Sequence, residues 1–334
     1  MKKVVICILI CMLMILSTMV PISATTSSEK KSQLLRMGNT FYVGGSGPNN
    51  YTKIQDAVDN ATNGDTVYVF DDSSPYYENV LINTSLLLQG EDRETTIING
   101  SLGNYPDWNH TFGVSINADN VTIRGFTIQG CNLSGIAISA STCNITTNIL
   151  ADNYYGIGMG SENDTQKKGS NTIINNLFLR DDAGIYVSGG LNNIITENVF
   201  SQNMISIIVA LSANTLISHN IISESDRGIT IIGSYYTMVY RNNISSNENV
   251  GVATWFTSAD RILQNNFIGN TKSAESAQYF LLRFMMFKKE LNLPIRRNVW
   301  DGNYWDEPRL LPYKIPGAIW FCVDWHPAQE PYDI

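Results

Sequence analysis

The feature that most constrains this chain is a repeat. With Gly125, Asn148, Asn176, Asn198, Asn220, Asn243 and Asn266 set in register, successive gaps are 23, 28, 22, 22, 23 and 23 residues. A second column runs in phase through Gly135, Gly156, Gly184, Ser206, Gly228 and Gly251, mostly followed by an apolar-x-apolar triplet such as Ile185-Tyr186-Val187. A period in the low twenties marks a solenoid, because a unit of that length cannot bury its apolar face alone and must stack on its neighbours.

The residues within one unit decide which solenoid it is. Asn171 to Asn192 contains three short apolar runs, around Ile173, at Leu177 to Leu179 and at Ile185 to Val187, separated by Asn, Asp, Gly and Ser. Nothing in it has helical periodicity, and short period-two runs between turn formers are strands. The expected fold class is therefore all-β: a right-handed parallel β-helix with about 22 residues and three short strands per coil. Successive coils should lie about 4.8 Å apart, as adjacent strands require.

The asparagine column then has a structural reading. Asn tolerates the left-handed conformation of a sharp corner, and its amide can bond the next Asn in the stack. The glycines mark positive φ or close packing by the same logic. The single gap of 28 is one coil plus a loop, placed at Ser161 to Gly169, where Asn163 is the best exposed acceptor for N-glycosylation. It is one of ten Asn-x-Ser/Thr sequons, Asn50, Asn83, Asn109 and Asn132 among them.

Five segments are expected. Residues 1–24 carry Lys2 and Lys3, an apolar run from Val4 to Leu16 and Ile22-Ser23-Ala24, and read as a secretory signal or an uncleaved anchor. A polar linker (25–40) leads to an N-terminal cap (41–64), whose helix sets Ile54, Ala57, Val58 and Ala61 on one face, with Thr52 as its cap and Asn63-Gly64 as its stop. The solenoid is expected over 65–270. Beyond it, 273–291 reads as a helix covering the last coil or touching a membrane surface, and Trp300, Trp305, Trp320 and Trp325 suggest a packed C-terminal cap. The body is thus placed outside the cytoplasm, with membrane contact through the N-terminus.

Once the signal is set aside, Cys131, Cys143 and Cys322 remain; an odd count indicates no disulfide framework, leaving one Cys131–Cys143 bridge or buried thiols. The net charge of −8 argues against nucleic acid and is compatible with neutral glycans or with cations such as calcium.

Three stretches carry a family resemblance: Ile54-Gln-Asp-Ala-Val-Asp-Asn-Ala-Thr-Asn-Gly-Asp-Thr-Val-Tyr-Val69, Tyr77-Glu-Asn-Val80, and Leu88-Gln-Gly-Glu-Asp-Arg-Glu-Thr-Thr-Ile-Ile-Asn-Gly100. They resemble the opening of NosD-like parallel β-helix proteins, abundant among secreted archaeal proteins. The tail from Asn298 to Trp305 and from Asp324 to Asp333 resembles the ending of archaeal members. The resemblance implies a β-helix of the pectin-lyase type and brings a suggestion of copper binding.

Copper needs His, Met or Cys placed together. His110, His219 and His326 lie in unrelated places, and only His219 is a candidate in the coils, with Glu197 and Asn242 one period away. The pectin-lyase resemblance also raises a carbohydrate-active enzyme: a polysaccharide hydrolase, lyase or epimerase. Glycoside hydrolysis needs paired carboxylates, and Asp181-Asp182 is the candidate pair, though no Gly-His-Gly, Arg-Ile-Lys or Asp-Pro-His-Asp accompanies it. The preferred reading is a non-catalytic surface solenoid that binds extended glycans or cell-envelope partners through repeated weak contacts.

Overall fold

The computed structural model describes residues 38–102, 111–160, 169–277, 296–317 and 322–334, which belong to one compact unit. Most coils give one strand to each of three sheets, of 13, 9 and 9 strands, and the strands pair in parallel except for Tyr313–Ile315 against Cys322–Asp324, with one isolated antiparallel bridge between Trp305 and Glu307.

Register follows from the pleat. In the first sheet the central residue of each three-residue strand from Thr122–Arg124 to Val299–Asp301 points inward, so Ile145, Ile173, Ile195 and Ile217 pair in succession at the core. In the second sheet Phe178 pairs with Phe200, their rings stacked 4.6 Å apart and 6° from parallel. The third sheet stacks Ile185, Ile207 and Ile229 in the same way. A slip of one residue would turn each of these side chains to solvent.

The corners differ from the expectation. Left-handed backbone falls on the residue before each ladder position: Thr147, Asn175, Glu197, His219, Arg241 and Gln264 have φ between 50 and 58°. That bend turns the following Asn inward. The glycine column is also not about φ, since Gly135, Gly156, Gly184, Gly228 and Gly251 all lie outside the left-handed region. Close approach explains it: a Cβ on Gly135 would sit 2.8 Å from the Gly156 carbonyl oxygen, and one on Gly184 would sit 2.7 Å from that of Ser206.

Both ends depart from the expected boundaries. Thr40–Val43 already pairs with Thr66–Val69, so the first sheet begins ahead of residue 65. Helix Ile54–Asn60 buries Ile54, Ala57 and Val58, but Lys53 rather than Thr52 stands at its N-cap and no local side chain caps it. Glu78 does so from a distance, its carboxylate accepting from Ile54 N at 2.9 Å and Gln55 N at 3.1 Å. At the far end the solenoid runs past residue 270. Val299–Asp301 pairs with Arg261–Leu263, and Tyr304–Trp305 with Asn266–Phe267. Trp300 and Trp305 are therefore core residues of a further coil, whereas Trp325 is exposed. Trp320 and most of the 273–291 segment lie outside the described residues.

Cys131 and Cys143 are free and buried, and Cys322 is free and half-buried. Among the described residues no helix is long and apolar enough to cross a membrane.

Candidate functional site

The asparagine column forms a hydrogen-bonded ladder along the corner between the first and second sheets. Each rung accepts, on its Oδ1, the backbone N–H and the side-chain amide of the rung before: Asn148 donates to Asn176 at 3.0 and 3.1 Å, Asn176 to Asn198 at 2.9 and 3.1 Å, and Asn198 to Asn220 at 3.0 and 3.1 Å. The next rungs are Asn242 and Asn265, not Asn243 and Asn266. Asn243 and Asn266 belong to strands of the second sheet, one residue further on. The ladder continues through Asn303 and ends on buried Asp324, whose Oδ2 accepts from Asn303 N, Asn303 Nδ2 and Trp305 Nε1 and whose Oδ1 accepts from Gly302 N and His326 N. A carboxylate, which only accepts, suits the end of a chain of donors.

A second ladder follows the corner between the second and third sheets. Cys131 N donates to Asn153, Asn153 to Asp181, Asp181 to Asn203, Asn203 to Ser225, Ser225 to Asn247 and Asn247 to Asn270. Asp181 is thus a buried rung. Its Oδ1 accepts from Asn153 N at 2.9 Å and Asn153 Nδ2 at 3.1 Å, and its Oδ2 has no hydrogen-bond partner. Burial pushes the carboxyl up to about 8, against the opposing pull of the Asn153 hydrogen bonds. The tandem Asp181-Asp182 is therefore no catalytic pair, because one carboxyl faces the core and the other, Asp182, faces solvent.

Around Asp182 the outer surface is organised. Backbone bonds Ala183 N to Tyr154 O, Ile205 N to Asp182 O and Arg227 N to Met204 O set Tyr154, Asp182, Met204 and Asp226 at one position in four successive coils. Beside them, on the outer face of the third sheet, Tyr155 stacks on Tyr186 at 4.9 Å and 15°, and Tyr154 meets Tyr155 at 4.6 Å. Tyr154 is 45% exposed and Met204 55%. Along the corner itself Arg180 is held by Asp152 through two hydrogen bonds, Nε to Oδ1 at 2.8 Å and Nη2 to Oδ2 at 2.7 Å. The result is a strip of aromatic and apolar surface edged by carboxylates. Sequence reasoning missed its tyrosines; the available signal was their place at outward positions flanking Gly156 and Gly184.

The metal candidates do not assemble. His219 is an exposed corner residue whose ring meets Tyr240 edge-on at 5.8 Å. Its left-handed neighbours in the stack are Glu197 and Arg241, so the expected Asn242 is replaced by a cation that would oppose a metal. His326 Nδ1 lies 2.7 Å from Asp301. No group of three or more His, Cys, Asp or Glu able to hold a metal occurs among the described residues, for copper or for calcium. His110, Asn163 and Asn109 lie outside the described residues.

Comparisons place the fold. XylC in complex with xylose has a TM-score of 0.50 at 11% identity, covering 79% of this chain and 83% of that one. Tailspike protein 2 of an Escherichia coli O157:H7 bacteriophage has a TM-score of 0.47 at 13% identity, and covers 72% of this chain. The match spans 38% of the tailspike chain. At 11% identity the likeness to XylC shows the fold alone. No curated protein matches the sequence. The family model described as periplasmic copper-binding protein (NosD) matches residues 58–310, well over half of the chain, and with the stacked coils and their ladders it makes this chain a member of the NosD family.

Proposed function

We propose that this solenoid works outside the cytoplasm as a glycan-binding protein that holds its ligand without cleaving it. The observation that carries the reading is the Tyr154, Tyr155 and Tyr186 cluster beside Asp182. Aromatic faces offer flat apolar area to sugar rings, and carboxylates at the edge accept from sugar hydroxyls. Because the strip runs along the stacking direction, it repeats at about 4.8 Å per coil, a geometry suited to an extended polymer. A glycan array tests this: wild-type protein should bind, and Tyr154→Ala should lose most of the signal at an unchanged melting temperature. A variant that binds as well as wild type would remove the strip from the account.

Hydrolysis is a second reading with one observation behind it. Asp182 and Asp226 stand two coils apart on the same outward column, which is about 9.6 Å by strand spacing, just beyond the upper end of the range of about 6.5–9.5 Å for an inverting pair. Asp226 also lies 3.6 Å from Arg227 Nε.

A further inference from the structure

The charges on the strip give the class of its ligand. Among the described residues its two cations are Arg180, clamped by Asp152, and Arg227, 3.6 Å from Asp226 with its guanidinium 5.1 Å above the Trp255 ring. Asp182 and Glu224 are exposed, and neither forms a salt bridge with another described residue. Glu224 instead accepts from Ser201 Oγ and Gln202 Nε2. Among the described residues, the surface offered to a ligand is therefore aromatic rings plus acceptor oxygens of negative sign, and neither guanidinium of the strip lacks a carboxylate beside it.

We propose, resting on the glycan reading above, that the strip takes an uncharged, hydroxyl-rich glycan and rejects polymers that carry a carboxylate or sulfate on each unit. Sugar hydroxyls donate to Asp182 and Glu224, which an anionic unit cannot do without bringing like charges together. A uronate polymer laid along four coils would set its own charges beside this line at every step. The chain's net charge of −8 adds the same sign at longer range.

The test is isothermal titration with neutral and uronate oligosaccharides of matched length, at low salt and at high salt. Expected is a preference of roughly tenfold or more for the neutral ligand at low salt, narrowing as salt screens the uronate repulsion. Asp182→Lys should raise uronate affinity several-fold, whereas Asp182→Asn should weaken the neutral ligand by losing an acceptor of charge. Equal affinity for both classes, or tighter uronate binding, overturns the inference while leaving the glycan reading intact. Failure of every oligosaccharide to bind, with the wild-type melting curve intact, overturns both.

Discussion

Asp181 carries an acid at a rung where its neighbours supply an amide. Asn153 Nδ2 donates to the Ile128 carbonyl and Asn203 Nδ2 to that of Phe178, each three residues before the rung below. At Asp181 Oδ2, which has no partner, a proton on the carboxyl would supply the donor that the amides supply at the neighbouring rungs. The unfolded carboxyl titrates near 3.8 and the folded one near about 8, so between these values the folded chain holds one proton more than the unfolded chain. Stability therefore falls as pH rises from about 4 to about 8, and levels off above that. Asp152 pushes the shift upward and Arg180 opposes it. Asp181→Asn is expected to raise the melting temperature at pH 8, by a free energy on the order of a few kcal/mol, and to leave it nearly unchanged at pH 4.5. Thermal unfolding of both proteins at the two pH values checks this; a variant that tracks wild type at both would show that Asp181 is charged and satisfied.

The corner ladder can be tested rung by rung. Asn198 accepts two hydrogen bonds from Asn176 and donates its amide to Asn220, Ile173 and Thr196, all in a buried corner. Asn198→Ala should cost on the order of 3 kcal/mol, because several buried groups lose partners at once. Asn243→Ala, off the ladder, should cost below about 1 kcal/mol in the same denaturant titration. Gly184→Ala should cost about 1–3 kcal/mol through the clash with the Ser206 carbonyl and the Phe200 ring. The coil period was legible from spacing, but the last rungs were not. Asn stands doubled at Asn242-Asn243 and Asn265-Asn266, and only the pleat decides which of the two turns inward. Asn303 was hidden by a 38-residue interval from Asn265. Glu78 as the cap of helix Ile54–Asn60 was hidden for a similar reason: its partner is 24 residues away, and local capping rules look within one turn.

At the scale of the molecule, a continuous core of stacked Ile, Val, Leu and Phe leaves the outer faces free to vary. This is why the fold was readable and the site was not. Inward positions repeat a residue type coil after coil, while outward ones such as Asn144, Thr172, Ile194, Leu216, Met238 and Arg261 in one column share only their register. The two acids of Asp181-Asp182 looked equivalent in sequence and face opposite ways in the fold. The copper suggestion is tested at this scale too. Equilibrium dialysis should find His219→Ala equal to wild type in copper uptake, since Arg241 rather than a ligand stands next in its stack; a loss of bound copper in that variant would place a metal at the corner. Charge and aromatic surface leave binding and cleavage as the two readings of the strip. The most direct measurement is to incubate the protein with the oligosaccharide it binds and weigh the recovered sugar by mass spectrometry. Binding without chemistry predicts recovery at full length over many hours; shortened products that vanish in Asp182→Asn would contradict it and make the strip an active site.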